Sequence, residues 1–295
     1  MSIVRHHTTS VNGIDIFYRE AGQKDKPALV LLHGYPTSSH MFRNLIQLLA
    51  DDFYLIAPDY PGFGRSAQPP IADFEYSFSN FANIVQGLLD KLGLERYSLY
   101  LMDYGAPVGF RIATAHPEKI DTLIVQNGCA YEEGLEQFWD PIKEYWKDKN
   151  NKEVERTLEG FHSPEGLQWQ YTHGVADPSV ISPDNWEHDL RHILRPGNNQ
   201  IQLQLFYDYQ TNPTLYPQWQ QYFRTHNPEM LVVFGKNDYI FPPSGAEAYK
   251  KDVKNLQFHL YDTGHFALET HVDEIAATIR EFLHSKVTRK SLTTA

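Results

Sequence analysis

Apolar runs and helical stripes alternate along most of the chain. Residues 27–33, PALVLLH, are continuously apolar up to a histidine, the pattern of a strand covered on both faces. The next stretch carries apolar residues at 41, 42, 45, 46, 48 and 49, which predicts a helix capped by Thr37 or Ser38. A second buried strand follows at 53–58, and apolar positions 81, 84, 85, 88, 89 and 92 predict the next helix. Strand 97–102, helix 106–115 and strand 120–126 continue the rhythm, which returns with strands 229–236 and 256–262 and a final helix at 271–283. Upstream, alternation on both sides of Asn12-Gly13 predicts a hairpin. Buried strands alternating with amphipathic helices give an α/β fold, a mostly parallel central sheet with helices on both faces.

From about residue 130 to 226 the texture changes to Trp, Tyr, Gln, His and Asn, and all five tryptophans lie there. This predicts a helical insertion into one α/β core made of 1–129 and 227–285, with a polar C-terminal tail at 286–295. Its tryptophans are expected mainly in the core of that insertion, with the remainder lining a pocket.

Composition narrows the classes. At 295 residues and 41% hydrophobic, the chain is long enough for one large domain. A net charge of −11, with basic residues grouped only in the tail segment HSKVTRK, argues against nucleic-acid or anionic-membrane partners. One cysteine, Cys129, excludes an internal disulfide. No apolar leader or membrane-length run appears, so the expected location is cytoplasmic and the expected partner a small-molecule substrate, with a homo-oligomer left open. The fourteen histidines show no metal-ligand spacing, and neither a metal nor any other cofactor is expected.

In open α/β sheets, ligands sit beyond the carboxyl ends of the strands. Polar residues at those ends are His33 in HGYP, Asp59 in DYPGFGRS, Asp103, Asn127, Asp238 and His265. His33 is expected to hold its loop, and DYPGFGRS to be a glycine-enabled turn. Asp103, Asp238 and His265 could supply nucleophile, orienting acid and base, in that chain order.

That order resembles the α/β-hydrolase fold family over nearly the full chain, inserted cap included. The family's elbow usually carries serine in G-x-S-x-G, whereas the elbow here is DYGAPVG, with Asp103 at the nucleophile position. An aspartate there resembles the haloalkane dehalogenases and epoxide hydrolases. HGYPTSSHMFRNLI is also similar to the dehalogenase segment H-G-N-P-T-S-S followed by W-R-N. Some dehalogenases place the acid after the strand equivalent to 120–126, where this chain has Asn127, so Asp238 is the available carboxylate. The resemblance implies an oxyanion hole made by the backbone N–H groups of Tyr35 and Tyr104.

A carboxylate that attacks an acyl group forms an unstable anhydride. One that attacks an sp³ carbon forms an ester that water can cleave. The resemblance therefore implies displacement at carbon, with halide or epoxide oxygen leaving. The dehalogenases hold halide through an indole after the nucleophile and, in many, an Asn in H-G-N-P; this chain has Tyr104 and Tyr35 instead. Epoxide hydrolases protonate the oxygen with two cap tyrosines. Tyr207, in LQLFYDYQTN, and Tyr171, in WQYTHG, are the expected pair, with Tyr209 the alternative register to Tyr207; Tyr145 and Tyr216 are further candidates. The balance favours epoxide hydrolysis over haloalkane dehalogenation. A low-turnover ligand-binding protein on the same scaffold is the reading from a different class.

Overall fold

The computed structural model describes the backbone of residues 3–293 and the side chains of residues 3–286. The chain opens with a hairpin, β1 (Arg5–Val11) and β2 (Ile14–Ala21), in which Val11 pairs with Ile14. The two turn residues, Asn12 and Gly13, both have positive φ, 51° and 82°, which suits the right-handed twist of the flanking strands. Then come β3 (Ala28–Leu32), α1 (Arg43–Leu49), β4 (Tyr54–Pro58), α2 (Phe78–Lys91), β5 (Tyr97–Met102), α3 (Gly105–Ala115) and β6 (Ile120–Gln126). A 3₁₀ turn, Ser39–Phe42, leads into α1, and Ser38 caps it by accepting from the His40 N–H.

The inserted segment between β6 and the next strand is helical: α4 (Asp140–Lys147), α5 (Lys152–Glu159), α6 (Pro164–Thr172), α7 (Asp184–Ile193), α8 (Asn198–Asp208) and α9 (Thr211–His226). The α/β pattern resumes with β7 (Glu229–Gly235), α10 (Pro243–Ala248), β8 (Leu256–Tyr261) and α11 (Val272–Thr293). The backbone of α11 runs on through most of the segment expected as a polar tail. Residues 294–295 and the side chains after Lys286 lie outside the described residues. Among the described residues no helix is long and apolar enough to cross a membrane.

The eight strands form one sheet in the order β1-β2-β4-β3-β5-β6-β7-β8, antiparallel at β1/β2 and β2/β4 and parallel from β4 onward. Alternate residues of the central strands feed two cores. Val30, Leu32, Leu99 and Leu101 pack with Phe81, Val85 and Leu88 of α2, while Leu29, Leu31, Tyr100 and Met102 pack with Leu45 of α1 and Ile279 and Phe282 of α11. Both faces of the sheet are therefore dry, which is why those strands read as unbroken apolar runs. Most buried polar side chains of these strands therefore pair with one another, as Ser98 does with Thr122, or gather past the carboxyl ends of β5, β6 and β7, where the chain meets the inserted segment.

Candidate active site

Asp103 stands one residue past β5, in the turn to α3. Its φ is 52°, a left-handed conformation that is strained for most side chains and tolerated best by Asp and Asn. The turn leaves no room beside it. A Cβ on Gly105 would sit 2.2 Å from the Leu32 carbonyl oxygen, and one on Gly34 would sit 2.1 Å from Asp103 Oδ1. Glycine at these two positions lets the β3 loop and the helix close on the carboxylate.

The Tyr35 N–H donates to Asp103 Oδ1 at 2.7 Å, and the Tyr104 N–H at the start of α3 also hydrogen-bonds to this carboxylate. The other oxygen, Oδ2, faces His265 Nε2 at 3.8 Å. Across the imidazole, His265 Nδ1 lies 2.8 Å from Asp238 Oδ2. Asp238 also accepts from Asn127 Nδ2 and from the Ile240 N–H, each at 2.8 Å. A carboxylate has no proton to give, so Nδ1 carries the hydrogen and Nε2 of the neutral ring is bare. Nε2 has no hydrogen-bond partner among the described residues. Asp103, Asp238 and His265, drawn from three strand ends and far apart in the chain, are thus assembled into one buried line.

Burial raises the Asp103 carboxyl to about 6; the His265 charge and the two N–H donors work against that rise, and Asp238 adds to it. Burial pushes the His265 imidazole down, but Asp238 and Asp103 overcome it and the net shift is upward. Neighbouring His33 is buried among Tyr60 and Phe63. Its Nδ1 lies 3.0 Å from the Gly34 carbonyl oxygen and its Nε2 accepts from the Tyr60 N–H at 3.3 Å, so it fastens the Tyr35 loop. Asp59 accepts from the Ser39 and Arg65 N–H groups, and DYPGFGRS is a turn.

Above Asp103 lies a cavity of about 20 Å³, lined by Tyr35, Tyr104, Phe138, Trp139, Gln170 and Phe206, with Ile142 and Ile240. That is room for roughly one water molecule. A cleft of about 650 Å³ opens at the other end of the sheet, among Lys26, Ser98, Thr122 and Glu229, far from the strand ends that carry the chemistry. Among the described residues no three His, Cys, Asp or Glu side chains are grouped to hold a metal ion.

The tyrosines expected over the cavity are elsewhere. Tyr207 lies on the outer side of α8, edge-on to Tyr145, with the Lys149 ammonium over its ring. The α8 residue that reaches the cavity is Phe206, one position and about 100° earlier. Tyr209 is buried one ring further out, 4.3 Å from Trp139 by centroid, and does not line the cavity. Tyr171 stacks on Phe266 at 4.0 Å and hydrogen-bonds to Asp189, which makes it an anchor between α6 and the loop that carries His265. Gln170, its neighbour in the chain, is the α6 side chain that lines the cavity, and Asn127 ties the Asp103 turn to Asp238. Asn127 is among the polar strand-end residues read from the sequence, without a role assigned to it, whereas nothing in the pattern marks Gln170.

These features define the class. The chain belongs to the α/β hydrolase fold family, whose family model matches residues 27–272, and it is an α/β hydrolase. It is 47% identical over 281 residues to the uncharacterized hydrolase YNR064C of Saccharomyces cerevisiae, covering 94% of this chain and 96% of that one. A haloalkane dehalogenase of Bradyrhizobium diazoefficiens is 33% identical over 144 residues, 49% of this chain and 42% of the relative. Among solved structures, the epoxide hydrolase CorEH shares the fold with a TM-score of 0.78 at 21% identity, over 96% of this chain and 99% of that one.

Proposed function

We propose that this hydrolase acts on a small apolar electrophile through a covalent ester on Asp103, and that the favoured reaction is epoxide hydrolysis to a diol. The observation that carries the reading is the orientation of the Asp103 carboxylate. One oxygen accepts from the Tyr35 N–H, the Tyr104 N–H also bonds to the carboxylate, and the other oxygen faces His265 Nε2 at the edge of a cavity that Asp103 lines. The free oxygen attacks carbon and the leaving atom departs toward the inserted helices, which act as a cap. Water then adds to the ester carbonyl while Nε2 takes its proton, and Asp238 stabilises the imidazolium. The carbonyl oxygen that becomes negative is the one already held by the Tyr35 N–H, with the Tyr104 N–H beside it at the start of α3. Removing one such donor elsewhere costs roughly 10²–10³ in rate.

The donors around the cavity favour oxygen over halide as the leaving atom. The indole N–H groups of Trp139 and Trp146 are committed to the carbonyls of Ile240 and Phe206. The phenols of Tyr35 and Tyr104 line the cavity, the first donating to the Phe161 carbonyl beside Gln170 and the second without a partner among the described residues, and a phenol is acidic enough to serve an alkoxide. Haloalkane dehalogenation is the second reading, favoured by the curated dehalogenase relatives.

Incubating a His265→Gln variant with a styrene-oxide-like epoxide and with a bromoalkane tests the ester by peptide mass spectrometry. An adduct on the Asp103 peptide is expected, and an unmodified chain with both reagents contradicts the reading. Diol or bromide release by the unaltered enzyme separates the two leaving groups.

A further inference from the structure

Displacement at an sp³ carbon is in line, so the leaving atom emerges on the side of the substrate away from Asp103. A proton donor must therefore face Asp103 across the cavity. With Tyr207, Tyr171 and Tyr209 away from the lining, the donor must come from elsewhere. Trp139 is engaged with Ile240. Tyr104 is hemmed in by the rings of Phe63, Phe78 and Tyr209, and its hydroxyl has no polar partner among the described residues to steady a phenolate.

Tyr35 meets the requirement. Its ring leaves the core loop toward the cap and packs edge-on to Phe206, and its hydroxyl donates to the Phe161 carbonyl at 2.9 Å. The same carbonyl also accepts from Gln170 Nε2 at 3.3 Å, and that nitrogen donates to the Gly166 carbonyl at 3.2 Å. Two donors from the cavity lining thus share one acceptor. The Tyr35 hydroxyl can turn to a substrate oxygen while Gln170 keeps the carbonyl satisfied, so no buried group is orphaned by the swing. Tyr35 is 6% exposed and Gln170 is 2% exposed.

We propose that the Tyr35 hydroxyl protonates the leaving oxygen as an epoxide opens on Asp103, and that the Gln170 amide positions it. The proposal rests on the ester reading above. An Asp103 oxygen bonds to the epoxide carbon, the ring C–O bond breaks, and its electron pair takes the Tyr35 proton. The phenolate that remains is within hydrogen-bond reach of the Gln170 amide, which keeps one N–H on the Phe161 carbonyl and turns the other from the Gly166 carbonyl to the phenolate. In the second half, one proton of the attacking water passes through His265 to the departing diol oxygen. The other remains on the Asp103 carboxyl, and its ionisation makes up the proton Tyr35 gave. Burial raises the Tyr35 phenol well above its ordinary value and the Gln170 hydrogen bond opposes that, so Tyr35 carries its proton at neutral pH.

The test is the rate of ester formation on Asp103 from a styrene-oxide-like epoxide, in the His265→Gln background, against epoxide concentration. Tyr35→Phe keeps the backbone N–H that holds Oδ1. It is expected to lower the limiting rate by roughly 10²–10⁴-fold with the half-saturating concentration little changed. Gln170→Leu is expected to lower the limiting rate by less, again without weakening saturation, and Tyr207→Phe, outside the cavity lining, to stay near the parent. A Tyr35→Phe rate equal to the parent's, a loss confined to saturation, or an equal fall in Tyr207→Phe overturns the proposal. No adduct in the His265→Gln parent removes the ester reading itself and this assignment with it.

Discussion

Asp103 combines three conditions that oppose one another. It is 4% exposed, strained in φ and, in the proposed reaction, required to be charged for attack. Because burial lifts its carboxyl to about 6, proton binding is tighter in the folded chain than in the unfolded one. Stability therefore falls as pH rises from the ordinary carboxylate range through about 6. Asp103→Asn, which fits the same left-handed turn, is expected to abolish turnover. It should also raise the melting midpoint by a few degrees at pH 8 and leave it unchanged at pH 4, measured by calorimetry. For the same reason ester formation should rise with pH with a midpoint near 6. The His265 charge lowers the Asp103 value, so in His265→Gln that midpoint should move upward. A midpoint in the ordinary carboxylate range would contradict the burial of the nucleophile.

Three elements, the ends of β5, β6 and β7, hold the site in register, and Asn127 joins them. Its carbonyl accepts from the Asp103 N–H at 3.2 Å, its Oδ1 accepts from the Gly235 N–H at 3.1 Å, and its Nδ2 donates to Asp238. Replacing it by Leu leaves Asp238 short of a donor, and a hydrogen bond to a charged group contributes about 1.5–3 kcal/mol. Asn127→Leu should slow hydrolysis of the ester by roughly 10–100-fold while ester formation changes less, so the adduct accumulates in the steady state. Rapid-quench mass spectrometry reads this directly. At this scale the sequence was most legible where physics is most restrictive. Strands dry on both faces must be apolar, so Asp103, Asp238 and His265 stand out at their ends. The inserted helices carry aromatic and amide residues on more than one face, and which of them turns inward depends on packing. Periodicity over 203–212 could not decide between Phe206, Tyr207 and Tyr209, because each fits a helix and only tertiary contacts choose among them. Gln170 carried no signal at all, since a neutral amide is as much at home on a surface.

For the whole molecule, the decisive feature is closure. The inserted helices are latched to the core through Glu269, which accepts two hydrogen bonds from Arg43, at 3.1 and 2.7 Å, and one from Asn185 of α7 at 2.7 Å. The cavity beneath them holds about one water, so a substrate enters only when a lining group moves. Phe138 is the one lining residue that is half-buried rather than buried, and ring contacts with Phe161, Trp169 and Tyr239 surround it. Phe138→Ala should raise kcat/KM for a naphthyl epoxide by roughly tenfold or more relative to a small alkyl epoxide. An unchanged ratio would put the entrance elsewhere.

The claim beneath all of this is that Asp103, not water, makes the first bond to substrate carbon. A single turnover in heavy-oxygen water, with enzyme in excess over epoxide, tests it most directly. The account predicts unlabelled diol from that turnover and one heavy oxygen in the Asp103 peptide. Label in the diol with an unlabelled Asp103 would contradict it.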